Sequence, residues 1–145
     1  VRFARTAVET NALHARLRME IHRRNWNAAA AAADAVLTLN KFYGSMTSAD
    51  ETKFLKAFAL EQSQKFSEAI DVYLSIPDGR NEYYGWRATE RLRAMAQDEK
   101  TNQFVENKTA QLKQIPGTIK IDENRRNQQS LYRLTNNPEH LPPES

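Results

Sequence analysis

The apolar positions of this chain recur with helical rather than strand periods. Leu13, Leu17 and Ile21 come every four residues, flanked by Ala12 and Met19, and place an apolar stripe on a first helix from about Phe3 to Arg24. Arg16, Arg18, Arg23 and Arg24 fill much of the remaining surface, and the last two suit the negative end of the helix dipole. A break at Asn25-Trp26-Asn27 follows, with Asn27 as the expected cap of a second helix from Ala28 to about Leu39. The run Ala28 to Ala33 would let a neighbouring backbone approach closely, and Val36, Leu37 and Leu39 supply larger apolar groups. Asn40 to Thr47, with Gly44, reads as a loop.

Ser48-Ala49-Asp50-Glu51 has the spacing of a capping box, in which the serine takes the amide three residues on and the glutamate reaches back. It opens a third helix to about Gln64 carrying Phe54, Leu55, Phe58 and Ala59. Gln64-Lys65-Phe66 breaks it, Ser67 is the expected next cap, and a fourth helix bears Ala69, Ile70, Tyr73 and Leu74 before the turn at Ile76-Pro77-Asp78-Gly79. Asn81 is the expected cap of a fifth helix, Glu82 to about Gln97, where Tyr84, Ala88, Leu92 and Met95 form the stripe. A sixth runs from about Lys100 to Ile115, with Val105, Leu112 and Ile115 on one side, until Pro116-Gly117. Residues 118–145 differ. Ile119 and Ile121 alternate briefly, Asp122 to Thr135 fits one polar amphipathic helix, and Asn136-Asn137-Pro138 breaks it ahead of an expected flexible end, Leu141 to Ser145. The expected division is a helical-repeat domain over 1–117 and a polar helical or linker segment over 118–145.

Two of the breaks resemble each other. Asn25-Trp26-Asn27-Ala28-Ala29 and Lys65-Phe66-Ser67-Glu68-Ala69 each put an aromatic residue three positions before an alanine, 40 residues apart. Helix-pair repeats recur at roughly 34 to 47 residues. An aromatic at the turn can wedge between two helices while the alanine lets them cross closely, and such pairs stack into a superhelix with one concave face. The expected class is therefore all-α, with TPR-like helix pairs in an α-α solenoid; the alternative is an irregular helical bundle.

Composition narrows the functions. The 145 residues are 40% hydrophobic and 27% charged, which fits a folded chain and argues against wholesale disorder. A net charge of +3 biases the surface mildly towards anionic partners but is too small for a nucleic-acid footprint. Arg125 and Arg126 open the polar segment without the clustered aromatics a single-strand platform uses. Cysteine is absent, which removes disulfides, thiolate nucleophiles and cysteine metal sites. No stretch approaches the roughly 20 apolar residues of a membrane span. The chain opens at Val1 with neither an initiator methionine nor a signal peptide, and reads as a processed or excised piece.

The segment Asn81 to Met95 contains Tyr83-Tyr84-Gly85-Trp86, then Ala88, then Arg91-Leu92. It resembles the Tyr-Tyr-Gly-x-x-Ala-x-x-Arg-Leu helix of soluble lytic transglycosylases, found in the superhelical region ahead of their catalytic domain. Phe66 to Tyr73 looks like the helix pairs that precede that motif, so the resemblance covers roughly residues 45 to 97. That family cleaves peptidoglycan glycan strands without water, using a catalytic glutamate in a lysozyme-like domain marked by Glu-Ser and Gly-Leu-Met-Gln. This chain has no Gly-Leu-Met-Gln, and its Glu144-Ser145 follows two prolines, which denies it the catalytic role. The resemblance implies a periplasmic accessory module without catalytic residues, whose partners are peptidoglycan or the catalytic domain of a parent protein.

Candidate chemistry is sparse. No nucleophile elbow or phosphate-binding glycine loop is visible, and nothing calls for a cofactor. His14 and His22 are eight residues apart, too far for a two-histidine metal clip, and with His140 read as solvated or partly buried. Glu51, Glu61, Glu68 and Asp71 read as solubilising side chains rather than a glycosidase pair. The ligand-binding candidates are Tyr83, Trp86, Arg87 and Arg91. Aromatic faces stack on sugar rings and arginines pair with carboxylates. Tyr83, Arg87 and Arg91 share one helix face by their four-residue spacing, whereas Tyr84 and Trp86 suit packing of the helix pair with Gly85 allowing close approach. The other function open to such a module is a scaffold that holds a peptide segment in its concave groove.

Overall fold

The computed structural model describes residues 2–114 and 121–137, with side chains from residue 7 to 114 and from 123 onward. Among them are seven α-helices and no strand: α1 Arg2–His22, α2 Trp26–Leu39, α3 Ala49–Gln62, α4 Phe66–Leu74, α5 Tyr83–Gln97, α6 Asn102–Lys113 and α7 Ile121–Thr135. The chain forms two compact units, residues 1–85 and 86–145, with the division falling inside α5. The division expected near residue 117 falls among residues 115–120, outside those described, as do Ile115, Pro116-Gly117, Ile119 and the end after Asn137.

In the first unit each helix packs on its neighbour in sequence, α1 on α2, α2 on α3 and α3 on α4. Small residues make these crossings close. Ala29, Ala33 and Ala59 are fully buried and meet Leu17, with Ile21, Trp26 and Leu55 partly buried around them. Burying aliphatic carbon without a bulky side chain brings whole backbones together, which favours dispersion contacts at native packing density. Larger groups complete the unit: Phe54, Leu60, Ile70, Tyr73 and Ile76 are buried. Phe54 meets Tyr73 and Tyr84 at ring-centroid distances of 5.8 and 5.9 Å. The Trp26 and Phe58 rings meet edge to face at 5.7 Å.

The turns α1–α2 and α3–α4 are equivalent bond for bond at an offset of 40 residues. Arg24 and Gln64 both adopt left-handed backbone, with φ of 59° and 66°. Asn25 N–H donates to the Glu20 carbonyl and Lys65 N–H to the Leu60 carbonyl, both at 2.9 Å. Arg24 N–H bonds Ile21 and Gln64 N–H bonds Glu61 in the same register. This is the Schellman arrangement, which satisfies the carbonyls orphaned at a helix C-terminus. The pattern corrects two expected caps. α2 begins at Trp26 and α4 at Phe66, so Asn27 and Ser67 lie inside the helices; the N-cap positions are Asn25 and Lys65, and neither side chain caps. The aromatic residues are therefore the first helical residues rather than turn residues. Ala29 and Ala69, three positions on, are fully buried. At α3 the Ser48 side chain accepts the Glu51 amide at 3.1 Å, as its spacing predicts. α5 starts at Tyr83, one residue later than expected, and α6 is shorter at both ends than Lys100 to Ile115.

The second unit holds the rest of α5 with α6 and α7. Ala88, Leu92, Met95, Val105, Leu131 and Leu134 are its buried apolar residues. Thr101 donates to the Met95 carbonyl at 2.6 Å and closes the α5–α6 turn. Arg133 is 3% exposed and its Nε donates to Thr89 Oγ1 at 2.7 Å. The Arg93 guanidinium lies over the Tyr132 ring, 5.8 Å from its centroid. A groove of about 410 Å³ runs between α6 and α7, lined by Val105, Ala110, Leu134 and the end of α5 at Ala96.

Candidate functional site

The motif at the start of α5 divides by role. Gly85 is buried, and a Cβ built there would lie 1.8 Å from the Pro77 carbonyl oxygen, so only glycine permits this first turn to rest on the 77–78 backbone. Tyr84 is partly buried against Phe54, and its hydroxyl donates to Glu51 Oε2 at 2.6 Å. Tyr83 and Trp86 face outward instead, at 56% and 55% exposure. The Tyr83 ring meets the Tyr84 ring edge to face at 5.0 Å. Phe54 and Glu51 therefore hold the Tyr84 ring on which Tyr83 leans.

The candidate ligand residues occupy one helix. Tyr83 closes the first unit, and Trp86, Arg87 and Arg91 open the second. Arg87 and Arg91 are partly buried. The expectation that Trp86 packs the helix pair is corrected by its exposure. Of the packing residues proposed in this segment, Gly85 and Tyr84 do pack.

Behind Tyr84 lies a polar cluster. Glu51 is its centre: Oε1 lies 3.1 Å from His14 Nε2 and accepts Thr47 Oγ1 at 3.0 Å, while Oε2 takes the Tyr84 hydroxyl. One carboxylate thus joins α1, the loop before α3 and the first turn of α5. His14 is 8% exposed, and its Nδ1 is buried with no hydrogen-bond partner. Burial holds the imidazole below its ordinary value of 6.5 more strongly than the Glu51 charge raises it, and the Arg18 charge adds to the depression. Burial, with the bond to Glu51 and its charge, pushes the Tyr84 phenol up to about 12.

This cluster revises several expectations. Glu51 does not reach back to cap its own helix; its carboxylate faces His14, Thr47 and Tyr84. Glu61 is buried rather than solubilising and accepts the Tyr73 hydroxyl at 2.8 Å, while Glu68 and Asp71 are exposed as expected. His14 is buried and His22 exposed; His140 lies outside the described residues. Among the described residues no group of three or more histidine, aspartate or glutamate side chains is placed to hold a metal. No described helix is long and apolar enough to cross a membrane. The visible signal for the cluster was a histidine on the buried stripe of α1, where Thr10, His14 and Leu17 lie at helical spacing. Its partners, 37 and 70 residues on, left no local mark. No family model, curated protein or solved structure matches the chain.

Proposed function

We propose that this chain is a non-catalytic, TPR-like helical-repeat module of a soluble lytic transglycosylase-like protein, acting in the periplasm to support glycan-strand binding and cell-wall turnover. The observation that carries the reading is the division of labour in Tyr83-Tyr84-Gly85-Trp86. Tyr84 and Gly85 are consumed by packing, while Tyr83 and Trp86 keep more than half of their surface in water. Leaving two large aromatic residues exposed forgoes the stabilisation that burial would bring, and flat amphipathic rings are suited to stacking on sugars. Arg87 and Arg91 follow on the same helix and supply charge for the carboxylates of a peptidoglycan strand. The equivalent turns at 40-residue spacing support the repeat architecture in this reading.

The test is co-sedimentation with purified insoluble peptidoglycan, comparing wild type with a Tyr83→Ala/Arg87→Ala double variant, with far-ultraviolet circular dichroism showing both to be helical. Wild type is expected in the pellet and the double variant in the supernatant. Folded wild type that stays in the supernatant rejects direct glycan binding, and the peptide-scaffold reading then leads.

A further inference from the structure

We propose that His14 and Glu51 are positioning residues for the exposed Tyr83 ring, forming with Tyr84 a latch that loosens on acidification and weakens glycan binding. The proposal rests on the reading that Tyr83 meets the ligand. Its geometry belongs wholly to the first unit. His14 Nε2 stands 3.1 Å from Glu51 Oε1, Glu51 Oε2 accepts the Tyr84 hydroxyl at 2.6 Å, and the Tyr84 ring supports Tyr83 at 5.0 Å. The two contacts of Glu51 join residues 33 and 37 positions apart, so the first turn of α5 is held from α3, with α1 behind it.

The acid sensitivity follows from the other imidazole nitrogen. With Nε2 donating to Glu51, neutral His14 carries no proton on Nδ1, and Nδ1 is buried without a partner. A second proton would therefore create a buried donor that nothing accepts, which disfavours the closed cluster. The charged groups facing His14 are Arg18 from its own helix and Glu51 from α3, and Tyr84 shares Glu51 from α5. Glu51 favours the imidazolium, but burial and Arg18 oppose it. Any arrangement that lets the imidazole reach water takes up the proton more readily, so falling pH shifts the population towards an opened latch.

Two readouts test this from about pH 7.5 to about pH 5.5, across the ordinary imidazole range. One is co-sedimentation with insoluble peptidoglycan. The other is the near-ultraviolet circular dichroism of the tyrosines, which needs no ligand. Wild type is expected to lose about threefold or more of its binding on acidification, with a matching change in the tyrosine band and unchanged helicity. His14→Gln, which keeps a neutral donor, should flatten both responses. Tyr84→Phe cuts the link at its other end and should bind weakly with no pH response. A wild-type tyrosine band that does not change with pH, or one that changes equally in His14→Gln, overturns the latch. Glycan binding that ignores pH overturns it while leaving the proposed function standing. A His14-dependent band in a protein that never binds glycan supports the latch and sinks the glycan reading.

Discussion

The two units are held by different means. The first is closed by alanines that bring α1, α2 and α3 together, with Leu17 fully buried at the centre. Its polar interior is organised around carboxylates, Glu51 with three partners and Glu61 with the Tyr73 hydroxyl. The second keeps a groove of about 410 Å³ open beside Leu134, and its long cations lie on neighbours, Arg133 on Thr89 and Arg93 over Tyr132. A close helix crossing leaves no room for a flexible side chain, so small residues and short polar bonds define the first unit. In the second unit the arginine stems lie against neighbouring side chains instead.

Core truncation tests this contrast most strongly. Leu17→Ala should cost about 3 to 4 kcal/mol, because the alanine-lined crossing around it has little freedom to collapse. Leu134→Ala should cost about 2 kcal/mol, since the groove beside it already leaves part of its surroundings unfilled. Urea denaturation of both variants checks this, and equal losses would break the comparison. Gly85→Ala comes next, with a loss of about 3 kcal/mol, because the added methyl meets the Pro77 carbonyl rather than a movable side chain. Its tyrosine circular dichroism should change along with its denaturation midpoint.

Smaller effects sharpen the polar half of the comparison. Glu51→Gln should cost about 1 to 2 kcal/mol, since one amide cannot accept from all three partners. His14 fixes the sign on the acid side. Its folded value lies below 6.5, so its contribution is complete above that pH and is lost as pH falls towards the folded value. Thermal melts should show a decline below about pH 6.5 in wild type and a shallower one in His14→Gln. Tyr84 acts oppositely: its contribution is complete below 10 and is lost as pH rises towards about 12, and Tyr84→Phe should remove that alkaline loss. The smallest effect is a gain. Gln64→Gly should stabilise by about 1 kcal/mol, because Gln64 holds φ at 66°, where a side chain is strained.

Much of the helix content was legible because periodicity is a local property. The stripe Tyr84, Ala88, Leu92 and Met95 marks α5, and Ser48 marks the start of α3. The expected caps at Asn27 and Ser67 failed for an equally local reason. A Schellman turn places its left-handed residue at Arg24 and Gln64, where sequence habit looks for glycine, and so brings the next helix start forward to the aromatic. Glu51 failed differently. Its spacing from Ser48 fits a capping box, but three donors on other segments make a better set of partners than one backbone amide.

By itself the sequence determined that this chain is helical and about where its turns fall, because turn chemistry and apolar period are written over a few neighbouring residues. Only the tertiary structure decided that Trp86 stays exposed, and that His14 and Glu51 stand behind Tyr84. Exposure and partner choice depend on which distant segment lies against a helix face, and no spacing within one helix carries that information.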